Sequence, residues 1–326
     1  MQKIFVLALP GCVGSAVLGI AEIFSLANKV SRQLGEAGPR FDPIIVGLSG
    51  EPVTSDEGMA LQVTRKLPTA KKGDLLIVPG CMTSSLDLSA AVKSRGTEIA
   101  ALKRWASAGG LIAAQCSAVF LLAEAGLLTG RKATATWWAQ EQLKECYPDI
   151  HLSLDETLTD DDGIICAAGP YSHLDLGLHL IEKLTSRSLA SLVAKFAMIE
   201  RAPPSQSAFR TMDLMKTKPA LAKRIERLVL KSLPNIPTVG DVASELGLTP
   251  RTLQRRLADA TDMTPKALID QIRMGVAKRL IETTAAPLPD LMLATGFADE
   301  SAFRKQFARA SGMTPKQYAD RYAPNR

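Results

Sequence analysis

The chain contains 326 residues, 46% of them hydrophobic, which is enough for two or three domains that each bury a core. The net charge of +6 is unevenly spread: residues 210–326 hold 20 Lys and Arg against 12 Asp and Glu, whereas residues 1–209 hold 19 against 21. A basic surplus of this kind favours nucleic-acid binding by the C-terminal part, although a solvated charged face would give the same balance.

Cysteine usage and hydropathy argue against a disulfide-bonded, metal-binding or membrane-spanning protein. The five cysteines are odd in number and scattered, with no C-x-x-C pair, so we expect no disulfide framework, no metal site, no cofactor and a reducing, cytoplasmic location. The apolar stretch 4–20 is interrupted by Pro10 and Gly11, so a strand followed by a helix explains it better than a signal peptide. No run approaches the roughly 20 apolar residues of a membrane span.

The first 200 residues alternate between short apolar runs and helical patterns. Continuous rather than alternating hydrophobicity is typical of strands buried on both faces of a parallel sheet. The predicted strands are residues 3–9, 41–48, 74–79, 111–115 and 163–168. The predicted helices are residues 17–30, 97–107, 174–184 and 188–199. This order predicts a doubly wound, flavodoxin-like α/β domain over residues 1–200, with ligands bound at the carboxyl ends of its strands.

Cys116 stands where the strand 111–115 runs directly into a helix. A residue at such a junction projects from a tight turn, and the amides that open the next helix can lower the pKa of a thiol. Nucleophile elbows are built in this way. The alternative is a small buried apolar residue, which is the usual environment of a free cysteine.

Residues 113–134 and 174–181 resemble the ThiJ/PfpI branch of the class I glutamine amidotransferase-like superfamily, in the GlxA-like form fused to AraC-type domains. The resemblance implies an elbow cysteine that works with a neighbouring histidine and with a glutamate of the first helix, which Glu22 matches. Ser117 stands where the enzymes have that histidine, and Thr136 precedes Trp137 where many fused relatives have His-Trp.

The three histidines, His151, His173 and His179, offer no replacement for the missing base. Because a nucleophile needs a base within hydrogen-bond distance, we predict no catalytic residue and a protein that is not an enzyme. Two alternatives remain open, namely a cysteine-dependent amidase or deglycase-like enzyme and a redox sensor based on Cys116.

A ligand pocket for a small polar metabolite is predicted in place of an active site. Trp137 and Trp138 offer a face for a quaternary ammonium ligand, as the resemblance to carnitine- and betaine-responsive relatives implies, although adjacent tryptophans on one helix commonly divide between core and surface. The residues predicted to surround the pocket are Glu22, Cys81, Cys116, Ser117, Thr136 and Trp137.

A second domain is predicted after a linker. Two prolines and several small polar residues place the linker at residues 201–215, and an all-α basic domain at residues 216–326 that begins with a helix over 219–233. Within it, the segment that starts at Thr249 recurs fifty positions later. The recurrence predicts two supersecondary units of one kind.

Each copy has the pattern of a helix-turn-helix unit. A small apolar helix and a glycine turn, over 239–248 and 288–297, precede a helix whose apolar residues at i and i+4 form one buried stripe. Pro265–Thr284 reads as one long helix, a rod that would separate the two recognition helices by about one duplex turn, roughly 34 Å. The residues predicted to reach phosphates and base edges are Arg251, Thr252, Gln254, Arg255, Glu300, Ser301, Arg304 and Lys305.

These motifs resemble the DNA-binding domain of AraC/XylS-type transcription regulators. The resemblance is carried by residues 253–255, 279–284, 294–303 and 312–315. It implies a cytoplasmic regulator, an activator by family pattern, that binds double-stranded DNA, responds to a small-molecule effector, forms a homodimer and works with RNA polymerase.

Overall fold

The computed structural model describes residues 1–35, 40–81, 87–201, 205–210, 220–261 and 263–324. Contacts within the chain divide it into two compact units, Met1–Ser205 and Gln206–Arg326. The division falls inside the stretch predicted as a linker, of which residues 202–204 and 211–215 lie outside the described residues. None of the helices in the described ranges could cross a lipid bilayer.

The first unit is built on a seven-stranded sheet with the order β10-β11-β7-β6-β1-β2-β5. All neighbouring pairs are parallel except β10 and β11, and the pairs β3–β4 and β8–β9 form two small separate sheets. The strands are β1 (Gln2–Leu7), β2 (Phe41–Gly47), β3 (Val53–Thr54), β4 (Ala60–Leu61), β5 (Arg65–Lys66), β6 (Leu75–Val78), β7 (Leu111–Gln115), β8 (Lys132–Ala133), β9 (His151–Leu152), β10 (Leu158–Asp161) and β11 (Ile164–Ala167).

Helices cover both faces of this sheet. All residues of β6 and β11 are buried, which requires cover on both sides because successive side chains of a strand point to opposite faces. The helices pack in two groups, α1 with α6 and α7, and α4 with α2 and α3. Their bounds are α1 (Gly14–Gln33), α2 (Leu88–Lys93), α3 (Gly96–Ser107), α4 (Ala118–Glu124), α5 (Gln140–Cys146), α6 (His173–Leu184) and α7 (Arg187–Phe196). The predicted doubly wound α/β fold is therefore confirmed, and each predicted strand and helix is present.

The described residues of the second unit form helices and no strand, as predicted. A short 3-10 turn, Gln206–Ala208, precedes the helices. These are α8 (Ala220–Ser232), α9 (Val239–Glu245), α10 (Pro250–Thr261), α11 (Pro265–Thr284), α12 (Leu288–Thr295), α13 (Glu300–Ser311) and α14 (Pro315–Tyr322). Their apolar side chains form two clusters, one around Leu253 and Leu257 and the other around Phe303 and Phe307.

Candidate DNA-binding helices and elbow site

The first helix-turn-helix unit consists of α9 and α10. The Thr238 hydroxyl accepts a hydrogen bond from the Asp241 amide at 3.1 Å, and the Asp241 carboxylate accepts one from the Thr238 amide at 2.8 Å, which starts α9 with a capping box. Gly247, at φ 68°, supplies the left-handed turn. The Thr249 hydroxyl then accepts from the Thr252 amide at 3.2 Å and begins α10.

The second unit repeats this design in α12 and α13. Gly296 ends α12 at φ 68°, and a Cβ at this position would collide with the carbonyl oxygen of Pro234, so the turn requires glycine. The Asp299 carboxylate accepts a hydrogen bond from the Ala302 amide at 2.6 Å and starts α13. Phe303 and Phe307 are fully buried on one side of α13, as their spacing predicts.

The opposite faces of α10 and α13 carry the residues predicted to contact DNA. Thr252 is half-buried with its hydroxyl 2.8 Å from that of Thr249, and Glu300 accepts a hydrogen bond from the Arg304 guanidinium at 2.7 Å. The remaining side chains are exposed to solvent: Arg251, Gln254, Arg255, Ser301, Arg304 and Lys305, together with Glu300. Each recognition helix therefore presents arginine and polar side chains on its solvent face.

Cys116 occupies the elbow between β7 and α4. Its backbone lies in the left-handed region at φ 55°, which costs free energy for a residue with a Cβ, and its amide donates to the Ala167 carbonyl at 2.8 Å. Gly80 faces the elbow, where a Cβ would approach the Cys116 Cβ to 3.0 Å and the Gln115 carbonyl oxygen to 3.2 Å. The elbow is therefore packed tightly, and the Cys116 side chain is buried.

Among the described residues, a hydroxyl and not a base is hydrogen-bonded to the Cys116 thiol. The Thr136 hydroxyl lies 3.4 Å from the Cys116 Sγ as donor and accepts from the Gly169 amide at 3.1 Å. Burial raises the pKa of the Cys116 thiol, and the hydrogen bonds from Thr136 and from the Ser117 amide only partly offset this effect. The thiol is therefore the stable form at neutral pH.

Ser117, at the position of the enzymes' histidine, has a structural contact. Its hydroxyl donates to the Cys81 carbonyl at 2.6 Å and accepts from the Cys81 amide at 2.9 Å. Both hydrogen bonds are buried, and they connect the residue that follows the Cys116 elbow to the segment after β6. Sequence reasoning could not find this contact because the two residues are 36 positions apart.

None of the described contacts of the three histidines reaches the elbow thiol. His179 pairs with the Asp160 carboxylate at 2.9 Å, and His151 is exposed. His173 is buried beside Gly19, and desolvation lowers the pKa of its imidazole. Within the described ranges, no three His, Cys, Asp or Glu side chains converge as the ligands of a metal ion would.

The structure brings together part of the predicted pocket. A cavity of about 20 Å³, enough for one water-sized group, lies beside Ser117 and Cys81. Its described lining residues are Cys81, Leu88, Ala91, Val92, Arg95, Ser117, Ala118 and Leu121. Cys116 precedes the lining residue Ser117, and the Thr136 hydroxyl contacts the Cys116 Sγ, but neither residue belongs to the described lining.

Two predicted pocket residues are placed differently. Glu22 lies two turns along α1 with an exposed side chain, and among the described contacts no hydrogen bond joins it to the elbow. Trp137 is half-buried and does not belong to the described lining of the cavity, and Trp138 is 38% exposed. Gln115, which was not predicted, is fully buried and donates to the Gly169 and Pro170 carbonyls at 3.2 Å and 2.5 Å.

A doubly wound domain with an elbow cysteine, followed by two helix-turn-helix units, defines a class of DNA-binding regulators with an enzyme-like N-terminal domain. Family comparison agrees: residues 22–183 match the DJ-1/PfpI family, and residues 242–321 match a helix-turn-helix domain. The chain therefore combines a DJ-1/PfpI domain with an AraC-type helix-turn-helix domain, which confirms the resemblance seen in its motifs.

The chain is similar to proteins named as transcriptional regulators. The chain is 27% identical over 320 residues to the HTH-type transcriptional regulator CdhR of Pseudomonas aeruginosa, covering 97% of this chain and 91% of that protein. It is 26% identical over 218 residues to the HTH-type transcriptional regulator GlxA of Rhizobium meliloti, covering 66% of each. The crystal structure of a ThiJ/PfpI family protein from Pseudomonas syringae has a similar fold, with a TM-score of 0.50 at 21% identity, over 82% of this chain and 90% of that one.

Proposed function

We propose that this transcription regulator reads a split DNA site through α10 and α13, and that a small polar metabolite bound near the elbow controls it without being chemically changed. The observation that carries the DNA-binding part is the repeated exposed face: each recognition helix buries its apolar stripe and leaves arginine and polar side chains exposed to solvent. Arginine and glutamine side chains suit the edges of guanine and adenine, and lysines suit phosphates.

The test of DNA binding uses the full-length protein. Duplexes are selected from a random library, and affinity is then measured by fluorescence anisotropy at several salt concentrations. We expect a bipartite consensus, and an affinity that falls as salt rises because phosphate contacts release counterions. Recovery of no enriched sequence, with binding to all duplexes equal, would contradict the proposal.

The elbow supports binding in preference to turnover. The Cys116 thiol contacts a threonine hydroxyl, its pKa is raised by burial, and the Ser117 hydroxyl is already engaged by the Cys81 backbone. A nucleophile of this kind is held mainly as the thiol, and no base among the described residues is bonded to it. The same burial counts against Cys116 as a fast redox sensor.

Two measurements examine the sensor domain. A thermal-shift screen of amino-acid-derived metabolites on the full chain should find compounds that raise the melting temperature, because binding to the native state stabilises it. A panel of aldehydes and amides should show no turnover above the uncatalysed rate. Turnover that disappears in Cys116→Ser would instead establish an enzyme.

By resemblance to the family, we also propose a homodimeric activator that works with RNA polymerase in the cytoplasm. Light scattering on the purified protein tests the dimer, and in vitro transcription from a promoter that contains the selected site tests the direction of regulation. A monomer at micromolar concentration, or reduced transcript, would overturn the respective proposal.

A further inference from the structure

Two buried positive charges distinguish the long helix α11. Arg273 and Lys278 are each 8% exposed, and no other lysine or arginine in the described part of the chain is buried to this degree. Burying a charge is unfavourable unless hydrogen bonds replace the lost water. The contacts of these two side chains, which we call the α11 cation pair, therefore indicate what the burial achieves.

Arg273 holds the turn of the second helix-turn-helix unit. Its Nε donates to the Thr295 carbonyl at 2.8 Å and its Nη2 to the Gly296 carbonyl at 3.3 Å, which are the carbonyls at the end of α12. The guanidinium lies 3.7 Å from the centre of the Phe297 ring, and its Nη1 is 3.3 Å from the Asp270 carboxylate. One planar group thus binds two carbonyls, a ring and a carboxylate at fixed angles.

Lys278 holds the other end of the same unit. Its Nζ donates to the Ala310 carbonyl, in the last turn of α13, at 3.0 Å. It also donates to the Ser207 carbonyl of the 3-10 turn at 2.6 Å, and it lies 5.9 Å from the centre of the Tyr318 ring. Carbonyls at helix C-termini lack partners within the helix and attract cations. The α11 cation pair therefore donates hydrogen bonds to carbonyls at the C-terminal ends of both helices of the second unit, α12 and α13.

Both helix-turn-helix units pack against α11 through apolar side chains, but among the described contacts only the second also bonds to buried charged groups of that helix. Leu268, Ile269 and Ile272 of α11 pack against Leu253 and Leu257 of the first unit in one apolar cluster. Apolar contact is non-directional and accepts small rotations of one helix on another. Hydrogen bonds from charged groups depend on distance and angle, so they fix orientation as well as proximity.

We infer that Arg273 and Lys278 are positioning residues for operator recognition, which hold α13 in one orientation on α11 and thereby set the half-site spacing that the protein accepts. This inference rests on the proposed reading of a split site by α10 and α13. Neither side chain is exposed, so neither contributes by touching DNA.

The test measures spacing preference in the full-length protein. Duplexes carry the two selected half-sites with spacers shortened or lengthened by one and two base pairs. The variants are Arg273→Met, Lys278→Met and Arg273→Lys, which keeps the charge but loses the planar fork. Lys266→Met serves as the matched control because it removes one charge from an exposed position of the same helix. Thermal unfolding of each variant determines the folded fraction.

Wild-type affinity should fall by about tenfold or more at the wrong spacing, whereas Arg273→Met and Lys278→Met should discriminate less than about threefold among spacers. Footprints at the first half-site should stay unchanged, and Lys266→Met should keep the wild-type profile. Wild-type binding that ignores the spacer would refute the split-site proposal and this inference together. A wild-type spacing profile in all three variants would refute the positioning role alone. The same holds if the variants have a lower folded fraction but the folded protein keeps the wild-type spacing profile.

Discussion

Replacing Ser117 with alanine removes one hydroxyl that serves two buried backbone groups. The Cys81 amide loses its acceptor at 2.9 Å and the Cys81 carbonyl loses its donor at 2.6 Å. A buried polar group left without a partner costs about 1–3 kcal/mol, so the two together would cost roughly 2–6 kcal/mol if nothing replaced them. The space of the lost hydroxyl, together with the adjoining cavity of about 20 Å³, is enough for one water beside the two Cys81 groups, so we expect the lower end, about 2 kcal/mol.

The assay is urea denaturation followed by tryptophan fluorescence. All three tryptophans, Trp105, Trp137 and Trp138, belong to the first unit, so the signal reports on that unit without separating it from the chain. With a urea slope of about 2 kcal/mol per molar, the midpoint should fall by about 1 M. Ser191→Ala, at an exposed position of α7, is the matched control and should change the free energy of unfolding by less than about 0.5 kcal/mol. If Ser117→Ala behaves like this control, Ser117 does not hold the Cys81 backbone as described.

Three further changes examine other parts of the molecule. Arg255→Ala should weaken binding to the selected site by about 1–3 kcal/mol and to random DNA much less, and anisotropy that shows equal losses would reduce Arg255 to a phosphate contact. Desolvation lowers the pKa of Lys278 from 10.5 to about 8, so the unfolded chain binds more protons between these values, and stability should rise with pH there relative to Lys278→Met. The gain should reach at most about 3 kcal/mol by circular dichroism in denaturant, and parallel curves for the two proteins would show that Lys278 does not titrate in this range. Iodoacetamide at neutral pH should label the exposed Cys146 first and Cys116 only after unfolding, and mass spectrometry that finds Cys116 labelled as fast as Cys146 would show a reactive elbow thiol.

The elements that could be predicted from the sequence are those whose own residues carry a strong pattern. The recognition helices have apolar residues at i and i+4, and the buried strands are continuous apolar runs, so each local segment specifies its own structure. The pairs β3–β4 and β8–β9 have two residues per strand, too few for any periodicity. The short helices α2 and α5 were not predicted for a similar reason.

Contacts between distant residues were harder to foresee. Polar and charged residues are usually exposed, so nothing in the sequence marks Arg273 and Lys278 as buried, and only the fold shows which carbonyls they meet. The sequence shows directly that serine stands at position 117 in place of the catalytic histidine. It does not show that the Ser117 hydroxyl is hydrogen-bonded to the Cys81 backbone. Glu22 was assigned by similarity to a family position, and helix geometry places it on the exposed side of α1.

The hydrogen bond from the Thr136 hydroxyl to the Cys116 thiol affects how the regulator would respond to changes in ligand concentration. An enzyme converts its substrate to product, so a regulator that turned over its ligand would respond to the rate at which the ligand is supplied. On the function proposed above, the buried Cys116 thiol leaves the bound metabolite unchanged. The fraction of protein that carries the metabolite then follows the metabolite concentration and falls when that concentration falls. Gene expression would then follow abundance reversibly, with no product to clear and no covalent state to repair.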